Sequence, residues 1–127
     1  MLTLICGLPR AGKTTYSERY KNVIHLDDYL RLPMELRYEQ CNRNAETEDD
    51  MVVEGIYHTA KVRTELIRAY RGQGLKCIWL DTPIEIKKHR DGFVPAMASF
   101  PFEPPTLDEG WDEIIIIRGE HEQRINR

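Results

Sequence analysis

The sequence predicts an α/β fold with a parallel sheet, because short runs rich in Val, Ile or Leu alternate with stretches of helical character. Five runs read as strands: Leu2–Cys6, Asn22–Leu26, Met51–Glu54, Leu75–Leu80 and Glu113–Ile117. Four stretches read as helices: Lys13–Tyr20, Tyr29–Ala45, His58–Arg71 and Ile84–Arg90. Strands alternating with helices imply right-handed crossovers and a sheet covered on both faces.

Each element has a local reason. Leu2-Thr3-Leu4-Ile5-Cys6 is nearly continuous in apolar character, as a parallel strand buried on both faces requires. Lys13 to Tyr20 contains neither Pro nor Gly. Gly72 and Gly74 supply a stop signal after the third helix, and Pro83 suits the first turn of the fourth. The stretch from Asp91 to Gly110 holds four prolines and several small-residue breaks. Before a last strand, such a segment reads as a lid.

Size and charge narrow the classes. A chain of 127 residues favours one domain spanning residues 1–127, and 41% hydrophobic with 31% charged residues is a globular composition. Net charge is −3, which argues against a broad basic face for indiscriminate nucleic-acid binding. The longest apolar run, Ile114 to Ile117, is far too short to cross a bilayer. The chain enters a strand directly with no basic, apolar leader, so the expectation is a cytoplasmic protein with no membrane partner. Cys6, Cys41 and Cys77 fit neither a disulfide framework nor a metal spacing, and the four scattered histidines suggest no zinc site. The acidic run Glu46–Asp50 reads as a solvated loop.

Residues 7–14 read Gly7-Leu8-Pro9-Arg10-Ala11-Gly12-Lys13-Thr14, a full G-x-x-x-x-G-K-[ST] phosphate loop between a strand and a helix. The two glycines let the backbone curl so that successive N–H groups converge on a phosphate. Lys13 puts an ammonium beside the β- and γ-phosphates, and the Thr14 hydroxyl is a ligand type that suits Mg²⁺. The whole loop with Thr15 is therefore the expected ATP-binding segment.

The loop does not say which reaction follows. N-K-x-D, the guanine signature, is absent. Two carboxylates are more informative. The second strand runs into Asp27-Asp28-Tyr29, and the third ends in Glu54-Gly55. Both places lie at the carboxyl edge of a parallel sheet, beside the phosphate loop. Transfer to an alcohol needs a group that accepts the hydroxyl proton and aims its oxygen, worth about 10²–10⁴-fold. Asp27 is placed for that chemistry, while Asp28 is placed to cap the following helix.

These residues carry a resemblance. Gly7-x-Pro9-x-x-Gly12-Lys13-Thr14-Thr15, then a strand, then Asp27-Asp28-Tyr29, resembles the kinase domain of polynucleotide 5′-hydroxyl kinases. Phe102-Glu103-Pro104-Pro105-Thr106-Leu107-Asp108-Glu109-Gly110-Trp111, followed by Ile114–Ile117, is similar to the segment that leads those kinases into their last strand. Val94-Pro95 resembles their lid-to-helix passage. The resemblance implies a three-layer P-loop NTPase fold of the adenylate-kinase type. It implies a five-stranded parallel sheet of order 2-3-1-4-5, helices on both faces and a short lid at about residues 87–110. It further implies ATP, Mg²⁺ and transfer of the γ-phosphate to a hydroxyl, here the 5′-OH of a polynucleotide or oligonucleotide. Asp27 takes the place of the general base, and Arg90 that of a lid arginine over the phosphates, with Lys87 a weaker match.

The chain departs from that pattern at Glu54-Gly55-Ile56-Tyr57, where the polynucleotide kinases carry Asp-Thr/Asn-Asn. Glu-Gly there is a feature of small-molecule kinases of the same superfamily. A small-molecule or nucleoside kinase, and a nucleotide-binding module without transfer, therefore stay open. The expected acceptor contacts are Asp28, Arg31, Glu54 and Arg63. Arg63 suits an acceptor phosphate bidentately, or equally a surface helix charge near Glu65. Tyr57 and Trp111 suit base stacking or, Trp111 especially, packing under the last strand.

Overall fold

A computed structural model describes residues 1–81 and 101–127. Five parallel strands, β1 (Leu2–Cys6), β2 (Val23–His25), β3 (Met51–Gly55), β4 (Leu75–Leu80) and β5 (Glu113–Arg118), lie in the order β2-β3-β1-β4-β5. The expected order 2-3-1-4-5 is thus present, but among the described residues the sheet is mixed and has six strands. β6 (His121–Asn126) pairs antiparallel with β5, Arg118 opposite His121, across a Gly119-Glu120 turn. Gly119 has φ 61°, the left-handed conformation that a two-residue hairpin needs at this place.

Side-chain alternation splits the core in two. In register, Leu4 faces the same side as Val53, Cys77 and Ile114, where α2 (Met34–Asn44) and α3 (Ala60–Ala69) pack through Tyr38, Cys41 and Leu66. One residue on, Ile5, Ile78 and Ile115 face the opposite side, against Ala11 and the Tyr16 ring of α1 (Lys13–Ser17). All three cysteines are buried thiols; Cys6 and Cys77 bring their sulfurs to 3.7 Å on adjacent strands.

The helices are shorter than their sequence signals. Tyr29–Ala45 is not one helix: Leu26–Tyr29 forms a 3₁₀ turn, and α2 starts only after Pro33, whose ring keeps the preceding residue out of helical geometry. Tyr38 and Cys41 of α2 and Ala45 at its C-cap recur at helical spacing and are buried. In α3 the Val62 N–H donates to Thr59 Oγ1, a side-chain cap that starts the helix at Ala60 rather than His58. The expected helix Ile84–Arg90 and the passage Val94-Pro95 lie outside the described residues.

Candidate functional site

β1 delivers the chain into the phosphate loop, and the loop geometry explains its glycines. A Cβ on Gly7 would sit 2.7 Å from the Leu80 carbonyl oxygen, so only glycine lets the loop cross the end of β4. Gly12, at φ 95°, turns the chain into α1, and Arg10 also has a positive φ of 65°. The Lys13 ammonium folds back, donating to the carbonyls of Gly7 and Leu8 at 2.9 and 2.8 Å.

Beyond the loop lies a cavity of about 490 Å³ lined by Pro9, Arg10, Gly12, Lys13, Thr14, Thr15, Asp27 and Glu54. The sheet order makes this meeting possible: β3 is hydrogen-bonded between β1 and β2, so the ends of all three strands converge. Asp27 stands exposed on the 3₁₀ turn after β2, whereas Glu54 is buried at 3%. His25 pairs with Glu54 across the strands, Nδ1 lying 2.9 Å from Oε2. Gly55 follows because its Cβ would meet Leu26 Cβ at 2.7 Å. Asp28 provides no helix cap; it lies inside the 3₁₀ turn and is exposed, as is Arg31.

A second cavity of about 420 Å³ shares Gly12 and Thr15 with the first. Its floor is Ala11, Leu80 and Ile117; its walls are Tyr16 and Arg19 on one side and Gly119 to Glu122 on the other. The Arg19 guanidinium lies 4.1 Å from the Tyr16 ring centre. The sequence reading missed this wall because it stopped at β5. The Gly119-Glu120 pair directly after the isoleucine run was the available turn signal.

Arg63 is not at the cavity. It is fully buried, with Nε and Nη2 donating to the two Glu109 oxygens at 2.8 and 2.9 Å and Nη1 to the Tyr57 carbonyl at 2.8 Å. Burial alone lowers its affinity for a proton, but the Glu109 hydrogen bonds and charge more than offset this and hold the guanidinium above its ordinary pKa. The expectation of an acceptor contact is therefore corrected to a structural ion pair. Trp111 Nε1 also donates to Glu109 at 3.1 Å, and Gly110 has φ 123°. The Glu109-Gly110-Trp111 string thus closes a clasp on α3.

Of the expected lid segment, residues 101–110 pack on the body: the Phe102 ring stacks on Trp79 at 5.4 Å, and Glu103 receives the Ala60 N–H at the start of α3. Arg90 and Lys87 lie outside the described residues. Tyr57 and Trp111 are both fully buried, so neither ring is presented for base stacking. Tyr57 meets Tyr38 edge-on at 4.9 Å, and burial pushes its phenol well above the usual pKa. Among the described residues no group of three or more His, Cys, Asp or Glu is placed to hold a metal ion, and Thr14 lines the cavity with Asp27 and Glu54. No described helix is long and apolar enough to cross a membrane.

No protein-family model matches the chain, and no curated protein does. Solved structures do match. The fold is similar to that of solved kinases. A sugar kinase from Janibacter sp. HTCC2649 superposes with TM-score 0.68 at 15% identity, covering 92% of this chain and 84% of its own. A gluconokinase from Sinorhizobium meliloti 1021 gives TM-score 0.68 at 13% identity, covering 94% and 82%. At such identities the likeness is one of architecture.

Proposed function

We infer that this chain is an ATP-dependent phosphotransferase that moves the γ-phosphate to a hydroxyl of a small alcohol. The observation that carries this is the cavity where Lys13 and Thr14 of the phosphate loop face the carboxylates Asp27 and Glu54. A carboxylate pair beside the phosphate loop can accept and aim a hydroxyl proton, as transfer to an alcohol requires. With ATP bound, Lys13 would exchange the Gly7 and Leu8 carbonyls for the β- and γ-phosphate oxygens, and the Thr14 hydroxyl would hold Mg²⁺, which would supply charge neutralisation for the transferred group. Asp27, exposed at the cavity, accepts the proton of the attacking hydroxyl and aims its oxygen in line. Glu54 holds the acceptor side. The second cavity suits the nucleoside: an apolar floor, with the Tyr16 ring at its wall.

A small alcohol fits better than a charged chain for two reasons. The neighbours in fold are a sugar kinase and a gluconokinase, and Arg63, a cation suited to an acceptor phosphate, is committed to Glu109. A 5′-OH polynucleotide end is the second reading, favoured by the exposed Arg31 just beyond Asp27. Incubation with γ-labelled ATP, Mg²⁺ and a panel of gluconate, sugars, nucleosides, 5′-OH DNA and 5′-OH RNA separates them. Label on a small alcohol supports the first reading. Label on oligonucleotides moves the acceptor to nucleic-acid ends, and label on nothing overturns transfer altogether.

A further inference from the structure

His25 is a residue that neither the phosphate loop nor the paired aspartates account for. It sits on β2 beside Glu54 of β3, in register, so both side chains leave the sheet on one side. Its Nδ1 lies 2.9 Å from Glu54 Oε2; the Glu54 side chain is 4% exposed and that of His25 30%. With the hydrogen on Nδ1, the imidazole donates and the carboxylate accepts. Glu54 lines the phosphate cavity and His25 does not.

The tether has a clear consequence. A glutamate at a strand end turns about three side-chain bonds. In this cavity it shares space with the Lys13 ammonium, and an untethered carboxylate is attracted to that cation. Such a swing would cancel the charge meant for the phosphates and remove the carboxylate from the acceptor. The imidazole engages one oxygen and fixes the plane of the group, leaving Oε1 for the ligand. We propose that His25 is a positioning residue for phosphotransfer, acting through Glu54 by the Nδ1–Oε2 hydrogen bond. The proposal rests on the phosphotransferase reading, since only there does the aim of Glu54 set a rate.

The test compares His25→Ala with His25→Asn, whose Nδ2 stands where the imidazole Nδ1 does. Turnover of Mg·ATP is followed as phosphate release to water and as transfer to gluconate, adenosine and a 5′-OH oligonucleotide. His25→Ala should lower kcat about 10–100-fold, the usual cost of losing an outer partner of a working ligand. KM for ATP should stay within about 2-fold, because the nucleotide contacts are untouched. His25→Asn should recover most of the rate, and His25→Ala should add nothing in a Glu54→Ala background. Equal losses in the alanine and asparagine variants, or losses that add to those of Glu54→Ala, would overturn the proposal. A wild-type chain that binds Mg·ATP and transfers to nothing defeats the phosphotransferase reading itself. Ring ¹⁵N spectra then still report on the tether: an Nδ1 proton slow to exchange in wild type and fast in Glu54→Ala supports it, and equal exchange in both sinks it.

Discussion

Arg63→Ala removes the fully buried cation from the Arg63–Glu109 ion pair. The side chain makes three hydrogen bonds, two to Glu109 and one to the Tyr57 carbonyl. After truncation Glu109, only 6% exposed, remains a buried carboxylate with the Trp111 Nε1 and Thr106 N–H as donors. Breaking a buried pair from one side costs about 3–5 kcal/mol. For a chain of this length each kcal/mol moves the melting midpoint by roughly 3–5 °C, so the loss should be about 10–20 °C. Arg63→Met with Glu109→Gln removes both charges while keeping an acceptor for Trp111, and should regain much of that loss. Urea unfolding followed by fluorescence of Trp79 and Trp111, with calorimetry beside it, reads both variants. An alanine variant within about 1 kcal/mol of wild type, or a double variant no better than the single, refutes the account of the clasp.

The other expectations concern the cavity and its surroundings. Asp27→Asn should bind Mg·ATP normally and transfer about 10²–10⁴-fold more slowly, read by calorimetry and γ-label transfer; a normal rate removes Asp27 as base. Gly7→Ala drives a Cβ to 2.7 Å from the Leu80 carbonyl, so stability should fall by about 1–3 kcal/mol and nucleotide affinity with it, measured by melting and calorimetric titration. Burial, then the Arg63 charge, holds the His58 imidazole below its ordinary pKa. The unfolded chain therefore binds more protons in the window below about pH 6.5, so this contribution is complete above that pH and is lost as pH falls through the lower native value. His58→Gln should flatten the stability profile there; an unchanged slope in pH-dependent urea unfolding counts against the assignment.

What could be read from the chain alone was what local geometry dictates. The phosphate loop was legible because Gly7 and Gly12 answer to a close approach and a positive φ, and Lys13 and Thr14 follow at fixed spacing. All eight residues that line the cavity beyond the loop were named from the sequence, six of them from Pro9 to Thr15, with Asp27 and Glu54 at the ends of two other strands. Arg63 was misplaced because its partner is 46 residues away, and no local pattern reveals a carboxylate that distant. Asp28 was read as a cap because Asp is favoured there, but Pro33 delays the helix beyond its reach. β6 was overlooked because, of its six residues, only Ile125 is apolar. An outer strand with a solvated surface leaves hardly any hydrophobic period.

That sixth strand governs how the molecule meets copies of itself. Ile114 to Ile117 form a proline-free, uncharged stretch of high strand propensity, the kind of segment that templates fibrils when its edge lies open. β6 occupies that edge and replaces it with His121, Glu122 and Arg124, the arginine bonded to both Glu113 and Glu122. Another chain approaching this margin meets fixed charges instead of bare isoleucine, so the hairpin works as a colloidal guard.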